Sequence, residues 1–231
     1  MLCSSTGRMV DTSTICRTVH CLGMTRQRIK HISLKQSKAK RAEFQAEMSV
    51  FDASMLLWID KTGFNRRNGI RKYGYGIRGQ PQNRTLLLKG KRYSAIGVMS
   101  TEGVQDVYLT DDSVDGDRFV YFLRHCLLPI LMPFDGQSRN SVVIMDNASI
   151  HHVEEVIELL TAVGVLVRFL PAYSPDLNPI EEVFAEVTHF LQANNSLLDT
   201  CMSPEALILM AFNSVTASNC QAYIHHSGYN L

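Results

Sequence analysis

The chain has 231 residues, of which 45% are hydrophobic and 19% are charged, and this composition is typical of a folded globular protein rather than a disordered one. Its longest apolar stretches, 126–134 and 159–167, are shorter than the roughly 18 residues that a membrane-spanning helix needs. The N-terminus contains no apolar signal core, and the six cysteines are scattered without a paired motif, which indicates reduced thiols. We therefore expect an intracellular protein with no membrane segment.

The net charge of +1 is unevenly distributed along the chain. Residues 1–50 carry nine basic and three acidic side chains and sum to +6, whereas the remaining residues sum to −5. A basic arm on a mildly acidic body is suited to binding a polyanion.

The first 48 residues predict a short, helical, basic arm. A helix start signal at Asp11 is followed by apolar residues at helical spacing, and Gly23 ends the run. The segment 25–40 is basic with few apolar residues, so it is either a linker that follows DNA or a solvated charged segment. A second helix is predicted over 39–48.

The apolar run 55–59 predicts a buried strand that ends in Asp60. The region 61–92 that follows contains ten lysine and arginine residues with interleaved tyrosines and glycines. It predicts twisted strands and turns that could hold DNA beside the strand end, with an ordinary exposed hairpin as the alternative.

Next along the chain, 94–100 and 104–110 predict two strands of a hairpin. Four aspartates within 111–117 could bind a metal, but the sequence that follows predicts a helix, so we expect them to serve the turn and the first helical turn.

A second apolar run, 141–145, predicts another buried strand, and it ends in Asp146. An acid at the carboxyl end of a strand lies at the rim of the sheet, where open α/β sheets bind their ligands. If this strand and the strand that ends in Asp60 are parallel neighbours, their carboxylates lie side by side. A helix over 153–163 and a strand over 165–170 are expected to follow.

The stretch "SPDLNPIEEVF", 174–184, predicts a loop that runs into a helix. Asn178 is expected to cap the helix with its side chain, and Pro179 to take the first helical position. Glu181 falls at the border of the apolar face, whereas Glu182 falls almost opposite it and is expected to point to water. A capping-box carboxylate is the alternative interpretation of Glu181.

A helix that starts near the two aspartates can bring Glu181 to Asp60 and Asp146. Three hard oxygen ligands suit Mg²⁺ or Mn²⁺, and they suit zinc less well because no histidine or cysteine set accompanies them. Further helices are expected from residue 203 onward. The order of strands and helices predicts an α/β protein with a mixed sheet that is covered by helices.

Three segments in this order carry a family resemblance: "WIDKTGF" (58–64), "VVIMDNASIHH" (142–152) and "LPAYSPDLNPIEEVF" (170–184). With them the chain resembles the DDE superfamily, specifically the mariner-type transposases and their bacterial insertion-sequence relatives. The 34 residues between Asp146 and Glu181 are the spacing of one large branch of that family, and this spacing favours Glu181 over Glu182.

The resemblance implies an RNase H-like fold, with residues 1–48 as a remnant helix-turn-helix recognition helix and basic linker and 49–231 as the catalytic domain. It implies that Asp60, Asp146 and Glu181 are the catalytic residues and hold two Mg²⁺ or Mn²⁺ ions. These ions would support DNA strand cleavage and strand transfer in transposition, with no small-molecule cofactor.

The partners that the resemblance implies are transposon ends and target DNA; it allows a homodimer, and nuclear localisation in a eukaryote. Either His151 or His152 could contact a phosphate, although a surface histidine is an equal alternative. Candidate DNA-binding residues are Arg17, Arg26, Arg28, Lys30, Arg66, Arg67, Arg71 and Lys72.

Three departures from the family pattern keep other functions open. Lys61 stands where many relatives have a glutamate, Phe184 stands where tryptophan is frequent, and the N-terminus is expected to be too short for a complete transposase. The chain could therefore be a catalytically inactive or co-opted transposon remnant that binds DNA without cutting it. A non-transposase nuclease on the same fold is the third alternative.

Overall fold

The computed structural model describes residues 2–3, 9–25, 33–65, 91–147, 154–194, 197 and 203–230. By its internal contacts the chain divides into two units, 1–34 and 35–231. The division between residues 48 and 49 that the sequence indicated stays a prediction. None of the described helices is long and apolar enough to cross a membrane.

The first unit contains a short antiparallel pair, β1 (Leu2–Cys3) and β2 (Met9–Val10), and the helix α1 (Thr12–Cys21). The side chain of Asp11 accepts a hydrogen bond of 2.8 Å from the Ser13 N–H, so it caps α1 as the start signal predicts. No side chain of α1 is buried.

The second unit is built on a five-stranded sheet with the strand order β5-β4-β3-β6-β7. Three strands form an antiparallel meander, and the other two extend the sheet in parallel. The predicted mixed sheet and its hairpin are therefore present. The strands are β3 (Leu56–Phe64), β4 (Tyr93–Ser100), β5 (Gly103–Thr110), β6 (Val142–Met145) and β7 (Leu166–Phe169).

Within the described residues, six α-helices cover this sheet, and they follow the predicted helical segments closely. Alternate residues of β3 face opposite sides of the sheet, so Leu56 and Trp58 belong to one hydrophobic core while Leu57 and Ile59 belong to the other. The helices are α2 (Lys38–Met48), α3 (Gly116–Phe122), α4 (Glu154–Val163), α5 (Ile180–Ala193), α6 (Pro204–Asn213) and α7 (Ala217–His226).

The helices are divided between the two faces. The core that contains Trp58 also receives buried side chains from α2, α5, α6 and α7. The core that contains Ile59 receives them from α3 and α4. Each face of the sheet is therefore covered, as the near-continuous apolar runs of β3 and β6 require.

Gly97 on β4 allows the first turn of α5 to approach the sheet closely. Gly97 pairs with Asp60 across β3 and β4. A Cβ atom at Gly97 would lie 3.2 Å from Ile180 Cδ1 and 3.2 Å from Phe184 Cε1. The missing side chain therefore helps to set the position of the α5 N-terminus relative to Asp60 on β3.

We expect Gly97→Ala to lower the free energy of unfolding by about 1 kcal/mol, because the added methyl group overpacks the site. Overpacking costs about 1–3 kcal/mol. Alanine loses less conformational entropy than glycine when the strand folds, and this gain offsets only part of that cost. Gly63→Ala is the matched control, because its Cβ would meet only the mobile end of Arg92, 3.0 Å from one guanidinium nitrogen. The control should be neutral or slightly more stable in urea denaturation. Equal destabilisation by both substitutions would contradict the account of the α5 approach.

Candidate active site

The prediction that both aspartates end their strands is correct for Asp146, which directly follows the last residue of β6, and wrong for Asp60. Strand β3 continues past Asp60 to Phe64, because this second half pairs with β4. Parallel pairing of β3 with β6 matches Trp58 with Ile144 and Ile59 with Met145. Asp60 and Asp146 come next in each strand direction, so they lie at the same level of the sheet. Side chains alternate between the two faces of a strand, so Asp60 lies on the same face as Trp58, and Asp146 on the same face as Ile144. This is the face that α5 covers.

Glu181 lies in the first turn of α5, and it reaches the same cleft as the two aspartates. This cleft has a volume of about 470 Å³ and opens at the carboxyl end of β6, beside Asp60 in the middle of β3. It is lined by Asp60, Asp146, Asn147, Leu170, Pro171, Ala172, Tyr173, Ser174, Pro175, Asn178 and Glu181. The structure therefore brings the three predicted acids together.

The Glu181 carboxyl has a raised pKa, first because the cleft reduces its hydration and second because the negative charge of Asp146 repels its ionised form. Glu181 keeps accessible surface, but the cleft walls still displace part of the water around the carboxyl group. The ionised forms of Glu181 and Asp146 therefore disfavour each other.

We expect Glu181→Gln to stabilise the metal-free protein at about pH 8, because it removes a poorly hydrated and repelled carboxylate. A raised pKa means that the folded state binds this proton more tightly than the unfolded state does. The contribution of Glu181 to stability therefore falls as pH rises from its ordinary value of 4.5 through the folded-state pKa. The gain from Glu181→Gln should vanish below that ordinary value.

Urea denaturation in EDTA across this pH range measures the effect. Glu158→Gln, which removes an exposed carboxylate from α4, is the control for the loss of one negative charge. A stability gain that is the same at every pH would contradict the assigned origin of the shift.

Asp60 is 7% exposed, and its carboxylate is held by donors from two different elements. The Lys61 backbone N–H donates to Asp60 Oδ1 at 2.6 Å, and Asn178 Nδ2 donates to Asp60 Oδ2 at 2.7 Å. The Lys61 side chain is exposed and does not line the cleft. By alternation it lies on the same face of β3 as Leu57 and Ile59, which belong to the opposite core. Its charge is therefore directed away from the three acids.

The predicted capping role of Asn178 is wrong. Pro179 occupies the N-cap position of α5, without any side-chain cap hydrogen bond. The side-chain amide of Asn178 is instead turned toward Asp60, which lies 118 positions earlier in the sequence. A contact over this separation overrides the local preference of asparagine for a helix cap.

The prediction that Glu182 points to water also needs correction. Glu182 Oε1 lies 2.5 Å from Nδ1 of His226, so this carboxylate contacts α7, which packs beside α5. His226 is therefore a surface partner of Glu182.

The loop before α5 contains a feature that the sequence did not indicate. Tyr173 has a φ of 60°, a conformation that residues with a bulky side chain rarely adopt, and its side chain is 53% exposed at the cleft. Gln36 Nε2 donates to the Tyr173 carbonyl at 2.6 Å, and Arg41 makes two hydrogen bonds to the Asp176 carboxylate at 2.8 and 2.7 Å. The start of α2 therefore holds this loop.

We expect Tyr173→Gly to be more stable than Tyr173→Ala by about 1 kcal/mol, because glycine adopts positive φ without strain. The same pair of substitutions at Tyr121, which is 52% exposed on α3, is the control. There the order should be reversed, because glycine is about 1 kcal/mol less favourable than alanine within a helix. Chemical denaturation of the four variants measures both differences, and the same order at both positions would contradict strain at Tyr173.

The predicted DNA-binding residues are described only in part. Arg17 is exposed on α1 in the first unit. The other candidates lie outside the described residues, as do His151 and His152. Those candidates are Arg26, Arg28, Lys30, Arg66, Arg67, Arg71 and Lys72.

The acidic cluster after β5 serves the turn and the helix, as predicted. The side chain of Asp115 caps α3 by accepting from the Arg118 N–H at 3.0 Å. Asp111 pairs with Lys91 at 2.8 Å, and Asp112 pairs with Arg118 at 2.6 Å.

The chemistry of the cleft fits a hard divalent cation. Asp60, Asp146 and Glu181 offer only oxygen donors, which Mg²⁺ and Mn²⁺ prefer. A cation would also relieve the repulsion by Asp146, which adds to the effect of burial in raising the pKa of Glu181. Within the part of the chain that the structure describes, no three His, Cys, Asp or Glu side chains are already gathered around one metal position.

Comparison with known proteins places the chain in a family. Residues 55–200 match the family model of the DDE superfamily endonucleases. Because this match covers more than half of the sequence, the chain belongs to that family, as its three acid-bearing segments predict. No curated protein matches the sequence.

Solved structures of Mos1, a mariner transposase, share the fold. The Mos1 strand transfer complex is 19% identical with a TM-score of 0.68, over 94% of this chain and 66% of that one. The Mos1 paired end complex with Mn is 18% identical with a TM-score of 0.65, over 94% and 67%. The Mos1 catalytic domain with raltegravir and Mn is 16% identical with a TM-score of 0.59, over 85% and 91%.

At these identities the likeness establishes the fold, and it confirms the predicted RNase H-like mixed sheet flanked by helices. The chain spans slightly less than two thirds of the first of these Mos1 structures, at 66% of its length.

Proposed function

We propose that this chain is the catalytic part of a mariner-type transposase that cuts DNA strands and joins them to target DNA with the help of divalent metal ions. The observation that supports this function most directly is the presence of Asp60, Asp146 and Glu181 around one cleft. Membership of the DDE superfamily endonucleases adds independent support.

Each acid has a separate structural origin, which defines its role in the proposed mechanism. Asp60 and Asp146 project from the rigid sheet and would hold the metal ions from one side. Glu181 projects from α5 and would complete the ligand set from the other side. When bound, two Mg²⁺ or Mn²⁺ ions would activate a water or a DNA 3′-hydroxyl and stabilise the leaving oxygen of an in-line displacement at phosphorus.

No covalent enzyme intermediate is required. The protein has to bind and orient the DNA and the metal ions, which neutralise negative charge at the phosphate. The scissile phosphate would enter the cleft between the sheet end and the loop 171–178. Ionised carboxylates would strengthen metal binding, and their mutual repulsion would disappear once the cations are in place.

The proposed partner is DNA. The Mos1 structures to which the chain is similar include a strand transfer complex, a paired end complex with Mn and a pre-cleavage transpososome. We propose that the present chain also binds DNA, and that its basic residues in 1–48 and 61–92 are candidate contacts. A homodimer and, in a eukaryote, a nuclear location are further parts of the same proposal.

We expect the purified chain to nick supercoiled plasmid in Mn²⁺, and we expect Asp146→Asn or Glu181→Gln to reduce nicking at least about 100-fold, because each removes a metal ligand and a charge. Glu182→Gln is the matched control, since it changes the adjacent helical carboxylate, which contacts His226 outside the cleft. Agarose-gel analysis of relaxed and linear products measures the rates.

Equal nicking by the wild type and both cleft variants would overturn the residue assignment. No nicking by any of these folded proteins would support the alternative of a remnant that binds DNA without cutting it. Loss of nicking in Glu182→Gln but not in Glu181→Gln would show that the wrong glutamate was chosen.

A further inference from the structure

Asn178 has an environment that a helix-capping residue does not need. It is 3% exposed, and its Nδ2 donates to Asp60 Oδ2 at 2.7 Å. Its Oδ1 is buried without a hydrogen-bond partner among the described atoms. A capping asparagine would use this oxygen to accept a helix N–H group, yet α5 has no side-chain cap. The side-chain amide is therefore oriented to donate to Asp60, and it does not cap α5.

The contact leaves room for a metal ion at Asp60. Lys61 N–H donates to one carboxylate oxygen and Asn178 to the other. A carboxylate oxygen has two lone-pair sites, so each oxygen can accept one such hydrogen bond and still bind a cation. Two donors on separate elements fix both the plane and the direction of the carboxylate. The backbone donor is insensitive to substitution, whereas the Asn178 donor can be removed.

The position of Asn178 also connects the two sides of the cleft. Its backbone carbonyl accepts from the Glu181 N–H at 3.2 Å, so Asn178 belongs to the turn that begins α5. Its side chain bonds to Asp60 on β3. One residue thereby links the strand that carries the first acid to the helix that carries the third.

We propose that Asn178 is a positioning residue, which orients the Asp60 carboxylate for metal binding and sets its distance from Glu181. This inference rests on the proposed function, because it assigns Asn178 a task within the same metal site. Partners that orient metal ligands from outside the ligand set typically change metal affinity or activity 10- to 100-fold when they are removed, and we expect an effect of about this size.

The test compares Asn178→Ser with Asn178→Ala in the full chain, with Mn²⁺ alone as the probe. Serine is a good helix cap but is too short to reach Asp60, so it separates capping from positioning. Isothermal titration calorimetry should show Mn²⁺ affinity reduced about 10- to 100-fold in both variants. Thermal unfolding without metal should find Asn178→Ser at least as stable as Asn178→Ala. Nicking by both should need more Mn²⁺ for its half-maximal rate.

Two controls accompany these variants. Asn194→Ala changes an asparagine at the other end of α5, where Nδ2 donates to the Phe190 carbonyl at 2.9 Å, and its Mn²⁺ affinity should match that of the wild type. Asp146→Asn removes a proposed ligand and should weaken binding strongly.

The outcomes separate this inference from the proposed function. Weak binding by Asp146→Asn together with unchanged affinity in Asn178→Ser would overturn the positioning role and leave the metal site intact. Recovery of affinity by serine but not by alanine would also overturn it, because capping would then explain the effect. Unfolding of both variants would contradict it as well, since positioning predicts folded proteins. If the wild type and Asp146→Asn bind Mn²⁺ equally, the metal site itself is wrong and the inference fails with it.

Discussion

The in-register parallel pairing of β3 with β6 is the constraint on which the rest of the site depends. It aligns Trp58 with Ile144 and Ile59 with Met145, and the next residue of each strand is an aspartate. A register shift of one residue would turn one of the two carboxylates to the opposite face. The buried side chains of both cores fix the register against such a shift, so the hydrophobic core determines where the two negative charges lie.

The third acid depends on a different kind of constraint, the close approach of a helix to the sheet. Gly97 lies beside Asp60 and provides the space in which Ile180 and Phe184 pack. Several locally unfavourable features gather around this approach: the repelled carboxyl of Glu181, the unpartnered oxygen of Asn178 and the positive φ of Tyr173. Such features persist only where the surrounding structure holds them, and they are often concentrated at functional sites.

Much of this arrangement could be predicted from the sequence. The runs before Asp60 and Asp146 are short, apolar and bounded by polar residues, and these local properties are sufficient to predict two buried strands. They did not show that β3 continues past Asp60 to Phe64, because that continuation depends on pairing with β4. The helical spacing of the apolar residues in α5 predicted that Glu181 lies at the border of the apolar face. The family resemblance selected Glu181 over Glu182 and identified the RNase H-like fold, which periodicity alone could not do.

The errors share one physical cause, which is that contacts between distant parts of the chain overrode local preferences. Asn178 was expected to cap α5 because asparagine before a helix commonly does so, but Asp60 offers a charged acceptor that no local pattern contains. Glu182 was expected to face water because α7 could not be placed beside α5 from sequence. Tyr173 lacks the usual signal for positive φ, which is glycine or asparagine, so only the structure could show its conformation.

The central claim is that Asp60, Asp146 and Glu181 together bind divalent cations. X-ray diffraction from crystals soaked in Mn²⁺, recorded near the manganese absorption edge, tests this claim most directly through the anomalous difference map. The account predicts manganese peaks within about 2.5 Å of carboxylate oxygens of Asp60, Asp146 and Glu181. Manganese bound elsewhere while the cleft stays empty at saturating concentration would contradict it.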